Sequence, residues 1–283
     1  KEYPKRIWTI FRHWISKGKR NLNLCGVRRI GVDETSRRKG HSYITQFVDL
    51  DTRETIFVCP GKDSDTFKRF SQWLIEHDGD PSLIEVVAMD MSNAFTSGCM
   101  TYFPQAHIVY DKFHIVQDTN KRLDEVRKAE VGEKKLLKGH RFTLLHLRKN
   151  LPEGRLQELD TILLTYPSLG KAYSLKEGLV DILHAATAKS QGAWEDFLKW
   201  MEMAEQSALE PFRKLVATFK GHLFGIKTFF EQGTITNGVL ESLNSKVQLA
   251  KRRARGYANV NNFMDMVYYI NGGRNFHYPL KST

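Results

Sequence analysis

Apolar positions along the chain change period several times, and each change marks an element. Ile7, Trp8, Ile10, Phe11, Trp14 and Ile15 recur at roughly helical spacing, so an amphipathic helix is expected within residues 1–24. Three β-rich runs follow, Arg29 to Thr35, Ser42 to Leu50 and Glu54 to Cys59. A turn-like Asp51-Thr52-Arg53 separates the last two, which predicts an antiparallel meander. From Ser64 to His77 the spacing returns to helical, with Phe67, Phe70, Trp73 and Leu74 on one face. Ile84 to Met89 is almost continuously apolar, as in a strand covered on both faces, and ends at Asp90, with Ser92 placed to cap the next helix. Ala106 to Tyr110 repeats that order and ends in Asp111-Lys112-Phe113-His114.

No convincing strand appears from about 118 to 232, where amphipathic segments are divided by Pro152, Gly154, Pro167, Gly170 and Gly192. The last long helix is expected over 237–255, with Leu240, Leu243, Val247, Ala250 and Ala254 as its apolar stripe. Rotation by 100° per residue groups Glu241, Ser245, Gln248 and Arg252 on a neighbouring face, with Asn244 and Arg255 at its edge. Gly256 stops this helix, and 263–270 reads as a closing one. The expected fold is α/β: a ribonuclease-H-like mixed five-stranded sheet with flanking helices, interrupted by a large all-helical insertion. The expected divisions are 1–24 (a helical linker), 25–117, 118–232 and 233–283.

Charge changes this picture more than composition does. The 283 residues carry a formal net charge of +11, which favours a polyanionic partner, although a solvated basic surface would give the same balance. The basic residues cluster as Lys17-Gly18-Lys19-Arg20, Arg37-Arg38-Lys39 and Lys251-Arg252-Arg253-Ala254-Arg255. No apolar run approaches the roughly 18 residues of a membrane span. Cys25, Cys59 and Cys99 are odd in number and lack C-x-x-C spacing, so neither a disulfide framework nor a zinc site is implied and a reducing compartment is expected. Residue 1 is Lys and the start is basic rather than signal-like, so an upstream segment is expected.

An acid at the end of a core strand needs a positive partner. Asp33 meets that need as a divalent-metal ligand or as an ion pair with Arg37 or Arg38, and Glu34 competes with it. Asp90 reads as a ligand or as a helix cap, and Glu241 as a ligand or as a first-turn acid favouring the helix dipole. Together the three would hold two divalent ions for in-line phosphoryl transfer, a chemistry that needs hard oxygen donors. Asp111 and His114 are weaker near-site candidates, His114 reading equally as a packed core histidine, and His41 is weaker still. Lys246, Lys251, Arg252, Arg253 and Arg255 are the expected phosphate contacts, followed by Arg37, Arg38 and Lys39.

The motifs Gly31-Val-Asp-Glu, Lys39-Gly-His-Ser-Tyr43, Asp90-Met-Ser and Asp111-Lys-Phe-His114 occur in order before the long run from Asn237 to Asn259. With that run they resemble the catalytic domain of ISL-three-type insertion-sequence transposases, over about 29–279. The resemblance implies a DDE triad at Asp33, Asp90 and Glu241, two Mg2+ or Mn2+ ions, DNA as partner and a homodimer or larger assembly. It also implies a bacterial cytoplasmic protein, associated with the nucleoid when bound to DNA. Relatives carry an upstream zinc-binding and helix-turn-helix region, of which this chain shows neither, and Ser242 stands where many relatives have Gly.

Overall fold

A computed structural model describes residues 4–38, 42–131, 137, 139–232 and 238–276. The chain divides into two compact units, 1–109 with 236–283, and 110–235. Lys39, His41 and Asn237 lie outside the described residues, as does the side chain of Arg38.

The first unit is built on a mixed five-stranded sheet in the order β3-β2-β1-β4-β5. The strands are β1 (Arg29–Arg38), β2 (Ser42–Asp49), β3 (Glu54–Pro60), β4 (Val86–Met89) and β5 (His107–Tyr110). The first three form the expected antiparallel meander, and β4 pairs parallel to β1 at Arg29↔Val86, Ile30↔Val87 and Gly31↔Ala88. β1 runs three residues further than its apolar pattern suggests. Ser36 still pairs with Tyr43 and Arg38 with Ser42, across a bulge that shifts the register between them.

Alternation along the strands separates the two faces of the sheet. On one side Phe47 stacks on Phe70 at 4.2 Å and meets Phe67 edge-on, so helix α2 (Asp65–Glu76) covers it, with α3 (Asn93–Tyr102) packed beside α2. The other side buries Ile44, Val48 and Val58 beneath α11 (Gly238–Arg253) and α12 (Val260–Asn271). Leu240 and Leu243 join Val48, while Val247 joins Ile44, Val58, Phe263 and Val267. The apolar stripe expected on the last long helix thus packs on the sheet as far as Val247. Ala254 is exposed instead, because the helix ends at Arg253 with Gly256 at φ +92° donating back to Lys251 O. The first helix, α1 (Pro4–Arg20), places Ile15 in this same core.

Beyond Tyr110, the last residue of β5, the described elements of the second unit are all helical. They include α4 (Lys112–Val131), α5 (Arg141–Leu145), α6 (Glu153–Thr165), α7 (Pro167–Thr187), α8 (Ala193–Glu205), α9 (Glu210–Gly221) and α10 (Leu223–Gln232). Phe197, Trp200, Phe212 and Phe219 are fully buried in it, and Trp200 Nε1 donates to Leu175 O at 2.8 Å. Lys176, 1% exposed, extends its ammonium to the Leu144 and His146 carbonyls and lies over the Tyr173 ring at 4.0 Å. Burial pushes its pKa down.

Candidate active site

Asp33 and Asp90 occupy matching positions. Each lies two residues beyond the paired positions Gly31↔Ala88, on neighbouring parallel strands. Gly31 and Asp33 share the face of β1 that α11 covers. A Cβ on Gly31 would come within 2.8 Å of Leu240 Cδ2, so the glycine lets α11 settle closely against the strand. One turn further along α11, Asn244 Nδ2 donates to Asp33 Oδ2, and Thr35 Oγ1 donates to Asn244 Oδ1 at 2.6 Å. Asp33 Oδ1 accepts from the Glu34 backbone N–H at 2.7 Å. Asp33 and Asn244 are half-buried and Thr35 is buried.

Gln46 stands directly opposite Asp33 in the β1/β2 register. It is 2% exposed, and its Nε2 has no hydrogen-bond partner among the described residues. A buried donor left unmade is costly, so an orphaned amide on the residue paired with Asp33 suits a site completed by an oxygen that the chain does not itself supply.

Asp90 is half-buried, and its Oδ1 accepts from Ser92 N at 3.2 Å. Ser92 supplies the N-cap of α3, its Oγ accepting from Phe95 N, so the capping role that competes for Asp90 falls to Ser92.

Glu241 sits in the first turn of α11 but is exposed. With Ser242, Ser245, Lys246 and Arg252 it lines an open groove of about 550 Å3. Among the described residues no three His, Cys, Asp or Glu side chains form a group able to hold a metal ion. The arrangement therefore puts Asn244, not Glu241, against Asp33. Asp33 and Asp90 fit the oxygen chemistry of a hard divalent cation, and the third donor is not gathered with them.

The remaining acids make other contacts. Glu34 lies 3.7 Å from Lys62 Nζ. Within the helical unit Asp111 opens α4, its Oδ1 accepting from Phe113 N at 2.9 Å while Oδ2 meets His114 Nδ1 at 3.3 Å.

The basic residues divide by exposure. Arg37, expected among the phosphate contacts, is buried. Its guanidinium donates to the Tyr257 and Ala258 carbonyls and, at 3.0 Å, to Ser42 Oγ. It ties β1 to the turn after α11 and is corrected to a structural role. Lys251 is half-buried and donates to the Ser36 carbonyl. Lys246, Arg252, Arg253 and Arg255 are exposed, and Lys246 and Arg253 also edge an apolar groove between α11 and α12 lined by Tyr257, Met266 and Tyr269.

Asn244 and Thr35 are the residues that pattern reading missed. Alternation from Gly31 through Asp33 places Thr35 on the α11 face, and helical rotation puts Asn244 at the edge of the polar strip. The two signals had to be combined.

Residues 30–267 match the model of a transposase family, the ISL3-type DDE transposases. The chain belongs to that family. It is 30% identical over 240 residues to the transposase for insertion sequence element IS1001 of Bordetella parapertussis, covering 82% of this chain and 58% of that protein. It is 27% identical over 278 residues to the transposase for insertion sequence element IS1557 of Mycobacterium tuberculosis, covering 88% and 61%. The chain therefore spans about three-fifths of the length of these relatives. DDE transposases are DNA-processing enzymes that in general use divalent cations. No helix among its described residues is long and apolar enough to cross a membrane.

Proposed function

We propose that this chain is the catalytic part of an insertion-sequence transposase. The observation that carries this reading is the placement of Asp33 and Asp90 at matching register positions, two residues beyond Gly31↔Ala88 on adjacent parallel strands, in a chain of the ISL3-type family. In this reading the sheet unit is a ribonuclease-H-like core and the helical unit is an insertion within it. Asp33 and Asp90 would hold Mg2+ or Mn2+, with Glu241 as the third member of the triad once DNA is in place. Two bound ions would favour deprotonation of the attacking hydroxyl and stabilise the leaving oxygen.

Water hydrolyses a phosphodiester at the element end, and the freed 3′-hydroxyl then attacks a phosphodiester of the target. The chain contributes position and charge rather than covalent chemistry. Lys246, Arg252, Arg253 and Arg255 are exposed on and just beyond α11 and would meet phosphates without reading sequence. Joining two ends calls for a homodimer or larger assembly, working in the bacterial cytoplasm on nucleoid DNA.

A strand-transfer assay with a pre-cut element end tests the reaction. Joined products that vanish in Glu241→Gln support the triad, whereas hydrolysis without joining indicates a nuclease of the same fold. The outward position of Glu241 favours one second reading, a transposase-derived DNA-binding protein. Binding of element DNA by a wild-type chain that neither cleaves nor joins would establish it.

A further inference from the structure

The link from Thr35 through Asn244 to Asp33 has its direction fixed by chemistry. An ionised carboxylate only accepts hydrogen bonds, so the amide NH2 of Asn244 must face Asp33. The amide oxygen then takes the Thr35 hydroxyl at 2.6 Å. The Glu34 N–H holds the other Asp33 oxygen at 2.7 Å. Donors reach the carboxylate from two sides, and Thr35, 3% exposed, is sheltered from competing water.

The seat of α11 does not depend on this link. Leu240, Leu243 and Val247 are each at most 4% exposed and already pack the helix on Val48, Ile44 and Val58. A half-buried amide beside that apolar stripe is better explained by what it does to Asp33. The orphaned Gln46 donor opposite Asp33 points the same way, to a polar site that an outside oxygen completes.

We propose that Asn244 is a positioning residue: oriented by Thr35, it holds the Asp33 carboxylate in the rotamer that binds a divalent cation. The inference rests on the proposed metal-dependent function. Groups that orient metal ligands typically change affinity by about 10–100-fold when removed.

The test is Mn2+ binding to the full chain without DNA, read from the free-ion electron paramagnetic resonance signal, alongside the thermal unfolding midpoint. Asn244→Ala should weaken Mn2+ binding by about 10–100-fold with an unfolding midpoint close to wild type. Thr35→Val should weaken it in the same direction, and Thr35→Ser, which keeps the hydroxyl, should restore it. If Asn244→Ala fails to fold, the Thr35→Val and Thr35→Ser pair decides. Wild-type affinity in Asn244→Ala, or in Thr35→Val, with binding lost in Asp33→Asn, would leave the metal reading standing and overturn the positioning role. Equal binding by wild type and Asp33→Asn would remove the metal reading, and the inference with it.

Discussion

Asn244 on α11 donates its side-chain amide to Asp33 on β1, joining residues 211 positions apart in sequence. It is one contact in a register that sets Leu240 over Gly31, Asn244 on Asp33 and Thr35, and Lys251 on the Ser36 carbonyl.

That register depends on the missing side chain of Gly31. A methyl group there would meet Leu240 Cδ2 at 2.8 Å and Leu50 Cδ2 at 2.9 Å, both mobile ends of side chains that can give way only by shifting the packing. Gly31→Ala should fold, lose about 1–3 kcal/mol in urea unfolding, and lower metal-dependent cleavage by moving Asn244 off Asp33. A variant with wild-type stability and activity would show that the close approach is unimportant.

Buried and exposed arginines should part company in DNA binding. Arg252→Ala removes an exposed cation, so it should weaken binding and lower the slope of log K against log salt by about one. Arg37→Ala should leave that slope unchanged and instead destabilise the fold by about 1–3 kcal/mol, because the Tyr257 and Ala258 carbonyls lose their donor. Salt titrations of both variants, with unfolding curves, check this.

In the helical unit, burial raises the Asp124 carboxyl, but hydrogen bonds from Lys128 and Arg127 outweigh it and hold the pKa below its ordinary value. A depressed folded pKa stabilises above the unfolded value, about 3.9, and that contribution fades as pH falls through the folded pKa. Asp124→Asn should therefore be less stable than wild type at pH 7, by about 1–3 kcal/mol for lost charge-assisted bonds. The gap should begin to narrow below about pH 4 and close only below the folded pKa. Thermal unfolding from pH 7 down to pH 2 measures it.

The strands and the packing of α11 were legible because side-chain period reports burial directly: Val86–Met89 is buried throughout, and Leu240, Leu243 and Val247 face the sheet. The roles of polar residues were less legible. Arg37 sits in a basic triplet that reads as solvent-facing, yet its acceptors are backbone carbonyls at 257 and 258, and residue pattern does not show where a distant carbonyl will lie. Lys251 went the same way, toward Ser36 O. Glu241 shares its helix with Asn244, three residues on, and only about 60° around the axis separates the exposed acid from the amide that reaches the strand. Spacing could place both on α11 but could not choose which would face Asp33.

Asp33 and Asp90 are proposed to act as one carboxylate pair in DNA cleavage. The most direct measurement is Mn2+-dependent cleavage of plasmid DNA carrying the element end by wild type, Asp33→Asn and Asp90→Asn, with DNA affinity followed in parallel. Each substitution should lower cleavage on the order of a thousandfold, the several kcal/mol that a catalytic metal supplies, while DNA affinity stays near wild type. Near-wild-type cleavage by either variant would contradict the account.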